Sequence, residues 1–251
     1  MADTIGRFSD RVDNYIRYRP GYPPQVVEYL IKKHGLTPDQ VVADVGCGTG
    51  VSSLQFLENG NRVIGVEPNA AMREAAMRLN SDHALFTCVD GTSESIPLPD
   101  GSVDLVVAAQ AFHWFEPEAT RAEFRRILKP GGRIALIWNE RQLDTTPFLV
   151  EYEQLLLRYA TDYESVRHDR IDEVGLAAFF DSAFDKATFA NVQVFDLEGL
   201  KGRMLSSSYM PAESSPVFAQ MTEDLGSLFA KHAESGRIKV FYDTNVFVSC
   251  I

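Results

Sequence analysis

The chain has 251 residues, and 24 Lys and Arg against 35 Asp and Glu give a formal net charge of −11. Hydrophobic residues at 45% with charged residues at 24% exclude collagen-like, coiled-coil and disordered classes and predict a sizeable core. An acidic chain is a poor counterion for phosphate, so neither nucleic acid nor an anionic membrane surface is an expected partner.

Met1 to Asp10 carries no apolar run of the kind that opens a secretory signal, and no apolar stretch approaches bilayer-spanning length. A cytoplasmic location is the expectation. Cys47, Cys88 and Cys250 are scattered and form no CxxC or Cys/His cluster, so neither a disulfide framework nor a metal site is expected.

In chain order, Tyr15, Tyr18, Arg19 and Tyr22 come first, and Pro23-Pro24 then opens a helix whose apolar side includes Val27, Leu30 and Ile31. From Val41 to Trp138 short apolar runs alternate with helical periods, the pattern of successive βα units in a mainly parallel sheet. Strands are expected at Val41 to Val45, Arg62 to Val66, Ala84 to Val89, Val103 to Ala109 and Arg133 to Trp138. Helical stripes lie between them: Met72, Ala75, Ala76 and Leu79, then Phe124, Ile127 and Leu128 before a Pro130-Gly131-Gly132 stop. A helix with Leu149, Tyr152, Leu155, Leu156 and Tyr159 leads into a polar stretch, Thr161 to Asp172, where a cap over the sheet is expected. Next come a strand from Phe189 to Phe195 and a helix with Val217, Met221, Leu225 and Leu228 on one side. From Ile238 a terminal strand keeps period two through Val240, Tyr242, Val246, Val248 and Cys250, with Phe241 and Phe247 on the other face. With no repeat or Gly/Ser linker, one domain over 1–251 is expected. It divides into an N-terminal arm and first helix (1–35), a cofactor-binding core (36–140), a cap region (141–186) and the C-terminal part of the sheet (187–251).

The first strand ends Asp44-Val45-Gly46-Cys47-Gly48-Thr49-Gly50, and a helix follows. Glycines here permit positive φ and bring a ligand against bare backbone, with helix N–H groups pointing at it. Glu67 ends the second strand, where a carboxylate can accept both hydroxyls of a ribose. A dinucleotide fingerprint requires glycine where Val51 stands, whereas GxGxG preceded by Asp44 suits a cationic ligand such as a sulfonium with a free amino group. A nicotinamide oxidoreductase and a tight turn without ligand are the competing readings.

VVADVGCGTG, VIGVEPN, GTSESIPLPDGSVDLV and ILKPGGRIALIWN resemble the successive motifs of the class I S-adenosylmethionine-dependent methyltransferases. RYRPGYP, AQAFHWF and SSSYMP are similar to small-molecule members related to trans-aconitate methyltransferase. The resemblance implies an α/β, Rossmann-like seven-stranded sheet, mostly parallel with an antiparallel last strand, helices on both faces and a small cap insertion. It implies S-adenosyl-L-methionine as cofactor and S-adenosyl-L-homocysteine as product. Gly46, Gly48 and Gly50, with Cys47 between them, are then expected to line the methionine half, with Asp44 ordering the loop, Glu67 on the ribose, and Pro68 and Met72 flanking the adenine. Thr92, Ser93, Glu94 and Gln110 complete that set, Thr92 standing where many relatives have Asp, and Tyr18 and Arg19 belong to a segment that in relatives closes over the cofactor.

Methyl transfer from a sulfonium requires alignment of a nucleophile and exclusion of water, with no metal or covalent intermediate. Ligands in open α/β sheets sit beyond the carboxyl ends of the strands. That places Gln110, His113, Trp114 and Asn139 as candidate catalytic groups, and Tyr22, Phe112, Trp138, Arg141, Arg203 and Tyr209 as candidate substrate contacts. His113, alone of five histidines beside that edge, is read either as a general base or as a structural imidazole. His34, His83, His168 and His232 are read as surface residues, and Phe112 and Trp114 as either pocket walls or core. The expected function is methyl transfer to a small organic acceptor, a carboxylate or hydroxyl, by a monomer or homodimer. A cofactor-binding protein without catalysis is the further alternative.

Overall fold

A computed structural model describes residues 17–161, 173–207 and 209–250. Its elements are α1 (Gln25–His34), β1 (Val41–Val45), α2 (Val51–Glu58), β2 (Arg62–Val66), α3 (Ala70–Leu79), β3 (Phe86–Val89), β4 (Val103–Ala109), α4 (Pro117–Ile127) and β5 (Leu128–Arg141). They continue with α5 (Pro147–Tyr159), α6 (Glu173–Phe180), β6 (Asp185–Phe195), α7 (Leu197–Leu205), α8 (Phe218–His232) and β7 (Ile238–Cys250). The seven strands form one sheet in the order β3-β2-β1-β4-β5-β7-β6. Pairing is parallel from β3 to β5, and β7 runs antiparallel to both β5 and β6.

Period-two alternation explains why the parallel strands are apolar throughout. Ala43, Val45, Val106, Ala108, Ile134 and Leu136 face one helical layer, while Val42, Leu105, Val107, Ala135 and Ile137 face the other. Both faces are therefore covered, as parallel sheets require. A third cluster lies beyond β5, where Phe148, Leu149 and Leu156 of α5 meet Leu200, Met204, Met221, Leu225 and Tyr242. The winding reverses between β1 and β4, so the loops after these two strands part to opposite faces and leave a crevice at their carboxyl ends.

Several expected boundaries move. Leu128 belongs to β5 and pairs with Val103 through a bulge, so Pro130-Gly131-Gly132 bends a strand rather than ending a helix. Ala84 and Leu85 precede β3, and β6 begins at Asp185 because its full length pairs with β7. Ile31, Leu79 and Val217 are exposed, each at the rim of its stripe. Of the expected cap, 162–172 lie outside the described residues. The rest of 141–186 is built into the body: Arg141 ends β5, α5 packs on α8, and α6 inserts Leu176, Phe179 and Phe180 into the core beneath α4. His34 and His232 are not surface residues. Their side chains are 9% and 14% exposed, the first edge-on to Tyr29 near Asp185, the second against Phe148 near Glu151. His83 is half-buried, and Tyr15 and His168 lie outside the described residues. Among the described residues no helix is long and apolar enough to cross a membrane.

Candidate active site

The site grows from the end of β1. Asp44 is fully buried, and its Oδ2 accepts hydrogen bonds from Ser52 Oγ at 2.6 Å and Ser53 Oγ at 2.7 Å, both in the first turn of α2. Its Oδ1 is buried with no partner among the described residues. Burial pushes the carboxyl up to about 6 against those two hydroxyl bonds. Gly46, Gly48 and Gly50 hold φ of 69°, 55° and 80°, the left-handed region that favours glycine. A Cβ on Gly46 would also lie 2.6 Å from that of Ala111.

Glu67, immediately after β2, staples this loop. Its Oε2 accepts from Gly48 N at 3.0 Å and its Oε1 from Asn69 N at 2.9 Å. Burial raises its pKa, opposed by those two N–H groups and by Arg73. Arg73 donates to the Glu67 carbonyl and pairs with Asp90. Asn69 caps α3 by accepting from Met72 N, which seats Met72 in the interior beside the half-buried Pro68. In the loop after β3, Thr92 and Ser95 bridge through their backbones. Glu94 accepts from Ser93 Oγ at 2.8 Å and from Glu116 N at 3.0 Å, fastening this loop to the start of α4. Burial raises its pKa, but these bonds outweigh that and leave the carboxyl below its usual range.

At the end of β4, Gln110 holds φ of 54°, a left-handed conformation uncommon for a residue with a Cβ. Its Nε2 donates to the Asn139 carbonyl at 3.1 Å, and its Oε1 is buried with no partner among the described residues. A one-turn helix, Phe112–Trp114, follows. His113 and Trp114 are half-buried there, their ring centroids 4.7 Å apart.

The segment before α1 is a strap across this edge. The Gly21 carbonyl accepts from Asn139 Nδ2 at 3.1 Å and Asn191 Nδ2 at 2.8 Å, the Tyr18 carbonyl accepts from Gln193 Nε2 at 3.2 Å, and Arg19 donates to the Ser206 carbonyl at 3.1 Å. The Tyr18 ring fills the space that a side chain at Gly202 would occupy. Between strap and glycine loop, Arg19, Tyr22, Cys47, Ser52 and Gln110 line a cleft of about 30 Å³.

Four expected site residues have other work. Phe112 and Trp138, 5% and 3% exposed, sit in the main core, where Phe112 packs against Phe179 and Trp138 against Phe247. Asn139 commits its amide to Gly21, Thr244 and Asn191, so it anchors the strap instead of orienting an acceptor. Arg141 is ion-paired with Glu153 and lies over the Tyr152 ring, which neutralises its charge. Arg203 differs: it donates to Tyr242 Oη and Ser207 Oγ, both at 3.1 Å, and no carboxylate among the described residues lies within 4 Å. Tyr209 is half-buried in the same cluster. Ser52, Ser53, Asn69, Arg73, Asn191 and Gln193 were not anticipated; only the serine pair just after the glycines gave a local signal.

The methyltransferase-domain family model matches residues 43–136, the stretch from Ala43 in β1 to Leu136 within β5. A methyltransferase of Geobacillus kaustophilus, itself uncharacterized, is 31% identical over 171 residues, covering 64% of this chain and 77% of the relative. The chain belongs to the methyltransferase family. The chain is also 38% identical over 134 residues to an uncharacterized methyltransferase of Mycobacterium bovis, a match covering 53% of this chain and about half (52%) of that relative's length. A methyltransferase-like protein of Schizosaccharomyces pombe is 28% identical over 258 residues, covering 99% and 98% of the two chains. Among solved structures, a candidate type II methyltransferase from Anaeromyxobacter dehalogenans shares the fold with a TM-score of 0.69 at 24% identity, covering 93% of this chain and 98% of that one. With the family established, the nicotinamide reading is set aside.

Proposed function

We propose that this methyltransferase binds S-adenosylmethionine and methylates a small organic acceptor bearing a carboxylate or hydroxyl. The observation that carries the cofactor assignment is Asp44 Oδ1, a buried carboxylate oxygen with no partner among the described residues, beside a loop of three positive-φ glycines. A buried anionic oxygen costs free energy until a cation or donor meets it, and the ammonium of a methionine moiety is such a group. Supporting this, a Saccharomyces cerevisiae relative, 32% identical over 127 residues that cover 49% of this chain and 43% of that protein, carries a name assigning it S-adenosylmethionine dependence.

When bound, the cofactor supplies a sulfonium-activated methyl group. The chain supplies position. Glu67, already fixing Gly48, has lone pairs left for ribose hydroxyls. Gln110 lines the cleft and has a buried Oε1 with no partner among the described residues, and His113 and Trp114 stand on the next turn for an acceptor. Arg203, buried beside tyrosines and without a carboxylate partner among the described residues, suits an anionic acceptor. The strap lies over the glycine loop with a cleft of about 30 Å³ between them, and it is the element that would move to admit a cofactor and to seal the site behind it. The test is titration calorimetry with S-adenosylmethionine and S-adenosylhomocysteine: one site per chain is expected, and absence of binding overturns the assignment.

A further inference from the structure

Cys47 and Cys88, far apart in sequence, bring their Sγ atoms to 3.7 Å. Cys47 lies inside the glycine loop and Cys88 on β3, an edge strand of the sheet. Both thiols stand over Gly65, the partner of Cys88 in the β2–β3 ladder. A Cβ there would lie 2.7 Å from Cys47 Sγ and 3.1 Å from Cys88 Sγ. Gly65 is not among the positive-φ residues, so what its missing side chain provides is the room in which the thiols meet. Both are free, and Cys88 is the more exposed of the two.

We propose that Cys47 and Cys88 form a reversible oxidation site, which peroxide converts to a disulfide that weakens cofactor binding. The second half rests on the cofactor reading above. Cys88 is the first to react: its sulfur attacks a peroxide oxygen, the O–O bond breaks, and the products are a sulfenic acid on Cys88 and one water. Cys47 sulfur then displaces the sulfenic hydroxyl, losing its own proton, so the S–S bond forms and a second water leaves. Two thiols are oxidised and one hydrogen peroxide is reduced; a dithiol reductant reverses the sum. This order suits the two environments, because the Cys88 contact and burial raise the Cys47 thiol well above its usual pKa and make it a poor initiator.

The bond alters the site because Cys47 is held in the loop on both sides. Its N–H and that of Gly46 point at the Val66 carbonyl, its carbonyl accepts from Gly50 N, and the neighbouring Gly48 N is held by Glu67. Closing the sulfurs from 3.7 Å to about 2 Å draws that backbone toward β3 and away from the conformation that presents Gly46 and Gly48 to a ligand.

The experiment uses the full chain with Cys250→Ser, which removes the exposed third thiol. After treatment with hydrogen peroxide, intact mass should fall by two hydrogens and peptide mapping should show Cys47 linked to Cys88. Affinity for S-adenosylhomocysteine should drop about tenfold or more and return with dithiothreitol. Adding Cys88→Ser should leave the reduced affinity unchanged and abolish the response. Oxygen additions without a cross-link, or a cross-linked protein that binds as tightly as the reduced one, overturn the proposal. If the reduced protein binds no S-adenosylhomocysteine, the cofactor reading fails separately; the thiol pair is then judged by the cross-link and by hydrogen exchange over Gly46 to Gly50, where unchanged protection on oxidation overturns it.

Discussion

Glu67 accepts a hydrogen bond from Gly48 N at 3.0 Å, so the carboxylate proposed to hold a ribose also fixes the glycine loop proposed to face the rest of the cofactor. Glu67→Ala should therefore lose two things together: the ribose contacts and the fixed position of Gly48. A charge-assisted pair of this kind contributes about 1.5 to 3 kcal/mol, so affinity for S-adenosylmethionine and S-adenosylhomocysteine should fall roughly tenfold to a hundredfold. Glu67→Gln, which can still accept from Gly48, should lose less. Calorimetry on both variants checks this, and equal losses would place the whole effect on the charge.

Asp44 gives a pH signature. Its folded pKa of about 6 lies above the unfolded value, so the group contributes stability that is fully present below about pH 4 and is lost as pH rises through 6. At pH 7 the buried ionised carboxylate costs the unliganded protein roughly 3 kcal/mol relative to low pH. Asp44→Asn should thus compare best with wild type at pH 7 to 8, and that comparison should worsen steadily as pH is lowered to 4. Cofactor affinity should show the converse: wild type binds more weakly as pH falls through about 6, and Asp44→Asn binds weakly throughout. Urea midpoints and calorimetry across that range provide both measurements.

The strap is held by hydrogen bonds from Asn139, Asn191 and Gln193 to its carbonyls, with few apolar contacts apart from Tyr18, Pro20 and Tyr22. Asn191→Ala removes one clasp at Gly21 and should raise amide exchange from Tyr18 to Tyr22 and speed release of S-adenosylhomocysteine. Bound cofactor should slow that exchange in wild type. Equal exchange with and without ligand in both proteins would make the strap a fixed arm.

The two arginines should separate in their effects. Arg141→Ala removes the cation from an ion pair with Glu153 whose two side chains are mostly buried, and breaking such a pair costs about 3 to 5 kcal/mol of stability. Arg203→Lys keeps a charge but loses the fork that reaches Tyr242 and Ser207. It should raise the Michaelis constant for an anionic acceptor with little change in melting temperature.

What the sequence made legible were features carried by local spacing. Positive-φ glycines after an apolar strand, Glu67 ending the next one, and two-faced apolar strands are each readable within a few residues of themselves. The functions of Phe112, Trp138 and Asn139 were not, because which way an aromatic or an amide turns is decided by partners distant in the chain: Phe179, Phe247, Gly21 and Thr244. Arg141 has the same history, since Glu153 reaches it only after the chain has turned into α5. The meeting of Cys47 and Cys88 depends on register between β1, β2 and β3, with Gly65 between them, and no spacing rule announces it.

The remaining question at the acceptor side is whether His113 removes a proton or positions a group. With Asn139 committed to the strap, the groups left at the end of β4 are Gln110, His113 and Trp114. A general base in this place should contribute about 10² to 10⁴-fold to turnover and impose a rise in rate through the histidine range. Alignment alone requires no ionisation, and Gln110, which lines the cleft, already holds a strained backbone and a buried Oε1 with no partner among the described residues, the marks of a position built for orientation. The expected outcome is that His113→Ala lowers turnover less than a hundredfold with a flat pH profile wherever the acceptor is fully ionised, while Gln110→Ala raises the Michaelis constant and lowers turnover together. Rates measured across pH for wild type and both variants decide it: a pH dependence that vanishes in His113→Ala, with cofactor affinity intact, would establish the base and refute alignment as the main source of rate.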